Sequence, residues 1–89
     1  MEEDRVITTV LVHHRVADYD AWRRVFDGVV SGPHRVWRRQ DDPNLVIVCE
    51  TYDSRAAAQA AFGESTLAAM ATAGVDAGTL QIEYLDEVT

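Results

Sequence analysis

Two adjacent histidines, His13 and His14, end an apolar run near the N-terminus and are the residues best suited by type to proton transfer. A neutral imidazole near pH 7 is a natural general base for an acidic C–H bond or a phenol. Side chains alternate along a strand, so at most one of the two points into a given cavity, and this stretch alone leaves open which. The alternative is that both are half-solvated strand-end histidines. Because adjacent residues do not share a face, no metal site is predicted.

A carboxylate and a phenol follow in a second apolar run. Glu50 lies between valines and Tyr52 on one face of a predicted strand, so it should be partly desolvated and needs a partner. We favour a buried ion pair with Arg38 or Arg39 of the neighbouring strand at a dimer interface. The alternative is a carboxylate that acts as acid or base beside a histidine. Tyr52 is a candidate donor to a substrate carbonyl.

Three aromatic side chains and one arginine are candidates for substrate binding: Trp22, Phe26, Trp37 and Arg38. The aromatic rings could stack on a flat phenolic or polycyclic molecule. Trp22 and Phe26 are also spaced i, i+4 on an amphipathic helix, which is typical of core residues. Trp37 alternates with arginines and could instead anchor a dimer interface.

The elements that position these residues follow from apolar periodicity, helix caps and chain breakers. The pattern predicts a central strand over 5–14, a helix over 19–30 with Asp18 as its N-cap, and a cationic edge strand over 34–39. A turn over 40–44 leads into a central strand over 45–52. A helix then begins after Asp53 or Ser54, is interrupted by Gly63 and ends at Gly74, before an edge strand over 79–88.

This order, βαββαβ, predicts an α+β, ferredoxin-like fold in a single domain over 1–89, with both helices on one face of an antiparallel sheet. The predicted central strands are apolar on both faces, however, and two helices cover only one of them. A bare apolar sheet face is unstable in a monomer, so we expect a homodimer in which two such faces pack together.

Composition excludes several classes of function. The 89 residues carry 8 basic and 15 acidic side chains, a net charge of −7, which argues against nucleic acid and anionic membranes as partners. No lysine is present, so Schiff-base chemistry on a lysine side chain is excluded. One cysteine, Cys49, and an acidic N-terminus without a long apolar run lead us to expect a reducing, cytoplasmic location. Phosphate-binding glycine loops and the common hydrolase and zinc motifs are absent from the sequence.

Three segments together carry a family resemblance: the run from His13 to Trp22, the sequence Asp-Asp-Pro-Asn at 41–44, and Glu-Thr-Tyr-Asp at 50–53. With them, the chain from 6 to 88 resembles the antibiotic biosynthesis monooxygenase-like members of the dimeric α+β barrel superfamily. The resemblance implies two sheets that face each other across a dimer, and a site between each sheet and its helices or inside the barrel. Relatives with this topology include cofactor-independent quinone-forming monooxygenases, polyketide cyclases, lactone isomerases and haem-degrading enzymes. Haem is not expected, because all three histidines fall on predicted strands or their ends rather than on a helix.

We therefore expect a homodimeric enzyme that acts on an aromatic or polyketide-like metabolite without a cofactor. His14, by preference, would abstract a proton while Tyr52 or an arginine stabilises the resulting anion. The substrate anion would then either react with oxygen, giving a monooxygenase, or close a ring, giving a cyclase. The competing hypothesis is a non-catalytic dimerisation or ligand-binding module in which Glu50 and Arg38 neutralise each other.

Overall fold

The computed structural model describes residues 7–88, which form one four-stranded antiparallel sheet with helices on one face. The elements in chain order are β1 (Thr8–Arg15), α1 (Tyr19–Val29), β2 (His34–Arg39), β3 (Asp42–Tyr52), α2 (Arg55–Ala61), α3 (Glu64–Thr72), a 3₁₀ turn (Ala77–Thr79) and β4 (Gln81–Leu85). The strand order β2-β3-β1-β4 places β1 and β3 in the centre and β2 and β4 at the edges. The predicted ferredoxin-like α+β fold is confirmed. Residues 5–6 of the predicted first strand lie outside the described residues.

Local capping explains where the helices begin. The Asp18 side chain accepts a hydrogen bond from the Asp20 amide at 3.0 Å, and α1 then buries Trp22 and Phe26 against the sheet. Ser54 caps α2 in the same way, accepting from the Ala57 amide at 3.1 Å. The predicted interruption at Gly63 is confirmed, since this residue separates α2 from α3.

The sheet has two unlike faces, and the register of β1 against β3 assigns each residue to one of them. Val10 lies opposite Glu50, Val12 opposite Val48 and His14 opposite Val46, and this set faces the helices. The valines of this face form most of the core together with Trp22 and Phe26 of α1. We call this side the helix face.

The opposite side, which we call the open face, has no helix packed on it among residues 7–88. It carries His13, Ile47, Cys49 and Trp37, and the indole of Trp37 is 44% exposed. The apolar surface that led us to expect a homodimer is therefore present, while the dimer itself stays a prediction.

The predicted start of β3 was wrong. The turn expected over 40–44 contains only Gln40 and Asp41, because β3 already begins at Asp42. The register shifts between Arg38 and Arg39, and such an irregularity accommodates Pro43, which has no amide hydrogen for the ladder.

The last strand is also shorter than the predicted 79–88. Residues Ala77–Thr79 form a 3₁₀ turn instead, in which the Asp76 side chain accepts from the Gly78 amide at 3.0 Å. No helix within 7–88 is long and apolar enough to cross a membrane.

Candidate functional site

A cleft lies between the helix face of the sheet and the helices. Its inner chamber has a volume of about 90 Å³, and its outer chamber has a volume of about 470 Å³. The two chambers adjoin, because they share six lining residues: Val29, Val30, Glu50, Phe62, Thr66 and Ala69. The combined space is in the range of small-molecule sites in proteins.

The inner chamber is mostly apolar, and its polar lining residues are His14 together with Glu50 and Thr66, which it shares with the outer chamber. Trp22 stacks on Phe26 with ring centroids 4.8 Å apart, and the His14 ring meets Trp22 edge-on at 5.5 Å. Valines of the sheet and Met70 of α3 complete the wall. A flat apolar molecule would contact aromatic rings here and find one imidazole.

His14 is only 2% exposed, and burial lowers its pKa below the ordinary value for histidine, because a charged imidazolium is poorly solvated there. Its Nδ1 atom is buried and has no hydrogen-bond partner among residues 7–88. A buried polar atom without a partner costs about 1–3 kcal/mol. The imidazole is therefore neutral at pH 7, can accept a proton, and lacks a partner that a ligand could supply.

A carboxylate and a phenol meet where the inner chamber opens into the outer one. Glu50 lines both chambers, and the Tyr52 hydroxyl donates a hydrogen bond to Glu50 Oε1. Burial, followed by this bond to the carboxylate, raises the pKa of Tyr52 well above its usual range. Tyr52 is consequently a neutral phenol whose hydrogen is already engaged, and it must leave Glu50 before it can donate to a substrate oxygen.

His14 and Glu50 lie at different ends of the cleft. His14 is opposite Val46, and Glu50 follows four residues later along β3. At about 3.3 Å per residue this is a separation of about 13 Å along the strand direction. The two side chains would therefore contact opposite ends of one bound ligand and not the same reacting atom.

The favoured interpretation of Glu50 as the ion-pair partner of Arg38 or Arg39 was wrong. The register across the hairpin puts His34, not an arginine, opposite Glu50. Arg38 lies opposite Val46, donates from Nε to the Pro43 carbonyl at 3.1 Å and stacks on the Tyr19 ring at 3.9 Å, while Arg39 is exposed. Glu50 also faces the helices, so it is not at the open face where the dimer interface was expected.

The remaining candidates divide between the two faces. Trp22 and Phe26 line the inner chamber, where they serve both as core and as cleft wall. His13 and Trp37 lie on the open face, and His13 Nε2 is 3.8 Å from Glu83 Oε1. Arg38 does not line the cleft. His14, Glu50, Tyr52, Trp22 and Phe26 thus form the candidate site, whereas the other three predicted residues lie outside it.

The helical wall of the cleft was not predicted from the sequence. Phe62, Thr66, Ala69, Met70 and Ala73 all line it. Their spacing of three and four residues marks one face of a helix, so the signal was present in the sequence. Within the described residues of the chain, no group of three or more His, Cys, Asp or Glu side chains is placed to hold a metal ion.

Comparison with known proteins supports the fold. No protein-family model matches the chain, and no curated protein matches it. Two crystal structures do, each with a TM-score of 0.67, and both proteins are provisionally named antibiotic biosynthesis monooxygenases. The one from Chloroflexus aurantiacus is 19% identical, with 93% of this chain and 94% of that chain covered. The one from Caulobacter crescentus is 24% identical, with 96% and 92% covered. The chain therefore has the fold of antibiotic biosynthesis monooxygenase-like proteins, as its sequence resemblance predicted.

Proposed function

We propose that the protein is a small enzyme that binds an aromatic or polyketide-like metabolite in the cleft and transforms it by acid–base chemistry without a cofactor. The observation that carries this proposal is the buried, neutral His14 imidazole, whose Nδ1 has no partner among residues 7–88, in the aromatic wall of the inner chamber. The names of the two similar structures are consistent with it.

In the proposed reaction, His14 takes a proton from a phenol or an acidic C–H bond of the ligand. The imidazolium that forms is stabilised by the ligand anion beside it, which compensates for its burial. The carbanion then adds to molecular oxygen, and the resulting peroxide takes the proton back from His14 and loses water to leave a new carbonyl, which would make the protein a monooxygenase. Alternatively, the anion attacks a carbonyl within the same ligand and the new alkoxide takes the proton back from His14, which would make the protein a cyclase. The Glu50–Tyr52 pair, about 13 Å away along the strand, binds the other end of the ligand.

Adjacent histidines on opposite faces provide a matched test. A panel of polycyclic phenols and β-polyketones is screened for binding by amide chemical shifts, and for turnover by oxygen uptake and product mass. We expect His14→Gln to abolish turnover and His13→Gln to retain it, because only His14 lines the cleft. Turnover retained by His14→Gln would refute the proposed role. Binding without turnover across the panel would favour a non-catalytic ligand-binding module.

We also propose that the open face pairs with a second copy of the chain. Trp37, Ile47 and Cys49 form an apolar patch there that no described helix covers. Trp37→Glu would place a charge in this patch and should convert a dimer to a monomer in analytical ultracentrifugation, with Glu83→Gln at the margin of the same face as control. A wild-type protein that is monomeric at high concentration would contradict the proposed pairing.

A further inference from the structure

Glu50 is the one carboxylate among the described residues that line the cleft. Glu50 lines both chambers, and the other described lining residues are apolar or uncharged polar, apart from His14, which is neutral at pH 7. The outer chamber is lined by residues with hydroxyl groups and by no cationic residue; the hydroxyl-bearing residues are Ser31, Thr51, Tyr52, Ser65 and Thr66. The electrostatic character of the cleft is therefore negative, in a chain whose net charge is also −7.

The Glu50 carboxylate is only partly satisfied by the protein. Its Oε1 accepts the Tyr52 hydroxyl, while Oε2 has no partner within residues 7–88. Its cross-strand neighbours are Val10, which is fully buried, and His34, whose Nδ1 donates to the Gly32 carbonyl at 2.7 Å. A carboxylate accepts several hydrogen bonds, so Glu50 retains capacity for a donor that enters the cleft.

The described arginines with defined partners are engaged elsewhere. Arg15 pairs with Asp42, and Arg23 pairs with Asp27 at 3.0 Å. Arg38 stacks on Tyr19, and Arg55 lies over the Tyr84 ring at 4.9 Å. None of them lines the cleft to neutralise Glu50.

We propose that Glu50 receives a protonated amine, so that the ligand of this cleft is an aromatic amine whose rings lie against Trp22 and Phe26. This inference rests on the proposed function, because it uses the same cleft, and it adds the class of substrate. A carboxylate that is partly shielded from water binds an ammonium group by a charge-assisted hydrogen bond. The same carboxylate repels an anionic ligand, and Phe62, an aromatic residue, lines both chambers.

Three probes that share one ring system test the proposal: a naphthylmethylamine, the corresponding alcohol and the corresponding carboxylate. Dissociation constants are measured near neutral pH by amide chemical shifts. We expect the amine to bind about tenfold more tightly than the alcohol, and the carboxylate to bind most weakly. Glu50→Gln should reduce the ratio of amine to alcohol affinity to about one, because the amide keeps an acceptor but loses the charge.

Two control variants separate local charge from net charge and from folding. Glu83→Gln makes the same change in net charge on the open face, so it should keep the preference for the amine. Tyr52→Phe leaves the Glu50 charge in place and frees Oε1, so its affinity for the amine should be equal to or higher than that of the wild type. This second variant tests the inference even where Glu50→Gln fails to fold.

The binding results of the three probes and the variants decide between support for the inference and its rejection. Preference for the amine that disappears in Glu50→Gln and persists in Glu83→Gln supports the inference. Equal binding of the three probes, or tightest binding of the carboxylate, overturns the inference and leaves the cleft as the ligand site of the proposed function. Failure of all three probes to shift the amides that surround the cleft overturns the inference, and it overturns the proposed function as well only when the phenols and β-polyketones also fail to shift them.

Discussion

Replacing His14 with leucine should stabilise the protein while it removes the proposed base. The imidazole is 2% exposed, and its Nδ1 has no partner among residues 7–88, which costs about 1–3 kcal/mol. Leucine removes this cost but also loses the edge-on contact with Trp22, worth about 0.5–1.5 kcal/mol. The difference is a gain of about 1 kcal/mol in the free energy of unfolding, or about 4–8 °C in Tm for a chain of this size.

The gain in the free energy of unfolding of His14→Leu over the wild type should grow as the pH falls. Burial lowers the pKa of His14 in the folded state, so between that pKa and the unfolded value of about 6.5 the unfolded chain binds more protons. The His14 contribution to stability is therefore constant above this window and is lost as the pH falls through it, with a slope of at most about 1.4 kcal/mol per pH unit. His14→Leu lacks this component, so its stability should fall less between about pH 7.5 and about pH 5.5.

Urea unfolding at one fixed protein concentration measures both effects, since dimerisation would make stability depend on concentration. His13→Gln is the matched control: it removes the neighbouring histidine from the open face and should keep most of the wild-type acid dependence, because burial, the largest cause of the lowered His14 pKa, is unchanged. The reasoning is refuted when His14→Leu is less stable than the wild type by more than about 1 kcal/mol, or when it keeps the wild-type dependence on acid. If His14→Leu is more stable than the wild type but has no turnover, His14 lowers stability while it supports activity, as expected of a functional residue.

Five further substitutions test the structure through unfolding and ligand titration. Gly74→Ala should destabilise the protein by about 1–2 kcal/mol, because the φ of Gly74 is 91°. Gly28→Ala in α1 should instead stabilise the protein by about 0.5–1 kcal/mol. Equal effects of the two substitutions would contradict the assigned backbone. Ser54→Ala should cost about 1 kcal/mol, and an unchanged Tm would argue against the cap of α2. Ala69→Leu should block ligand binding while Ala68→Leu does not, since only Ala69 of the two lines the cleft. Ligand binding by both variants would contradict the assignment of the cleft as the ligand site.

Local chemistry made most of the fold predictable. Asp18 caps α1 as expected, Ser54 is the one of the two candidates, Asp53 and Ser54, that caps α2, and Gly63 interrupts the second helix as expected. These signals depend on neighbours within about one helical turn, so a single sequence contains them. The short strand segment Asp42–Asn44 was missed because Asp, Pro and Asn are typical turn residues, and only pairing with β2 and the shift beside Arg39 make them belong to a strand.

The candidate site was harder to predict because it depends on which sheet face meets the helices. β1 is apolar on both faces, so the sequence of β1 does not distinguish His13 from His14. The partner of Glu50 was misassigned for a related reason. The pairing was predicted from the opposite charges of the two neighbouring strands, whereas the cross-strand register decides which residues lie opposite each other. His34 lies opposite Glu50, and Arg38 is four positions further along β2, beyond the reach of a direct pair.

The cleft itself follows from the composition of α2 and α3, which are rich in alanine. Ala58 is the only buried residue of α2, none of α3 is buried, and Leu67 is 41% exposed. Short side chains toward the sheet leave a gap that larger ones would fill. At roughly 24 cal/mol per Å³, the inner chamber of about 90 Å³ costs at most about 2 kcal/mol, because the cleft opens to solvent. Packing requires neither this gap nor the unpaired His14 nitrogen beside it. A bound ligand would fill the gap and supply the hydrogen-bond partner that the nitrogen lacks.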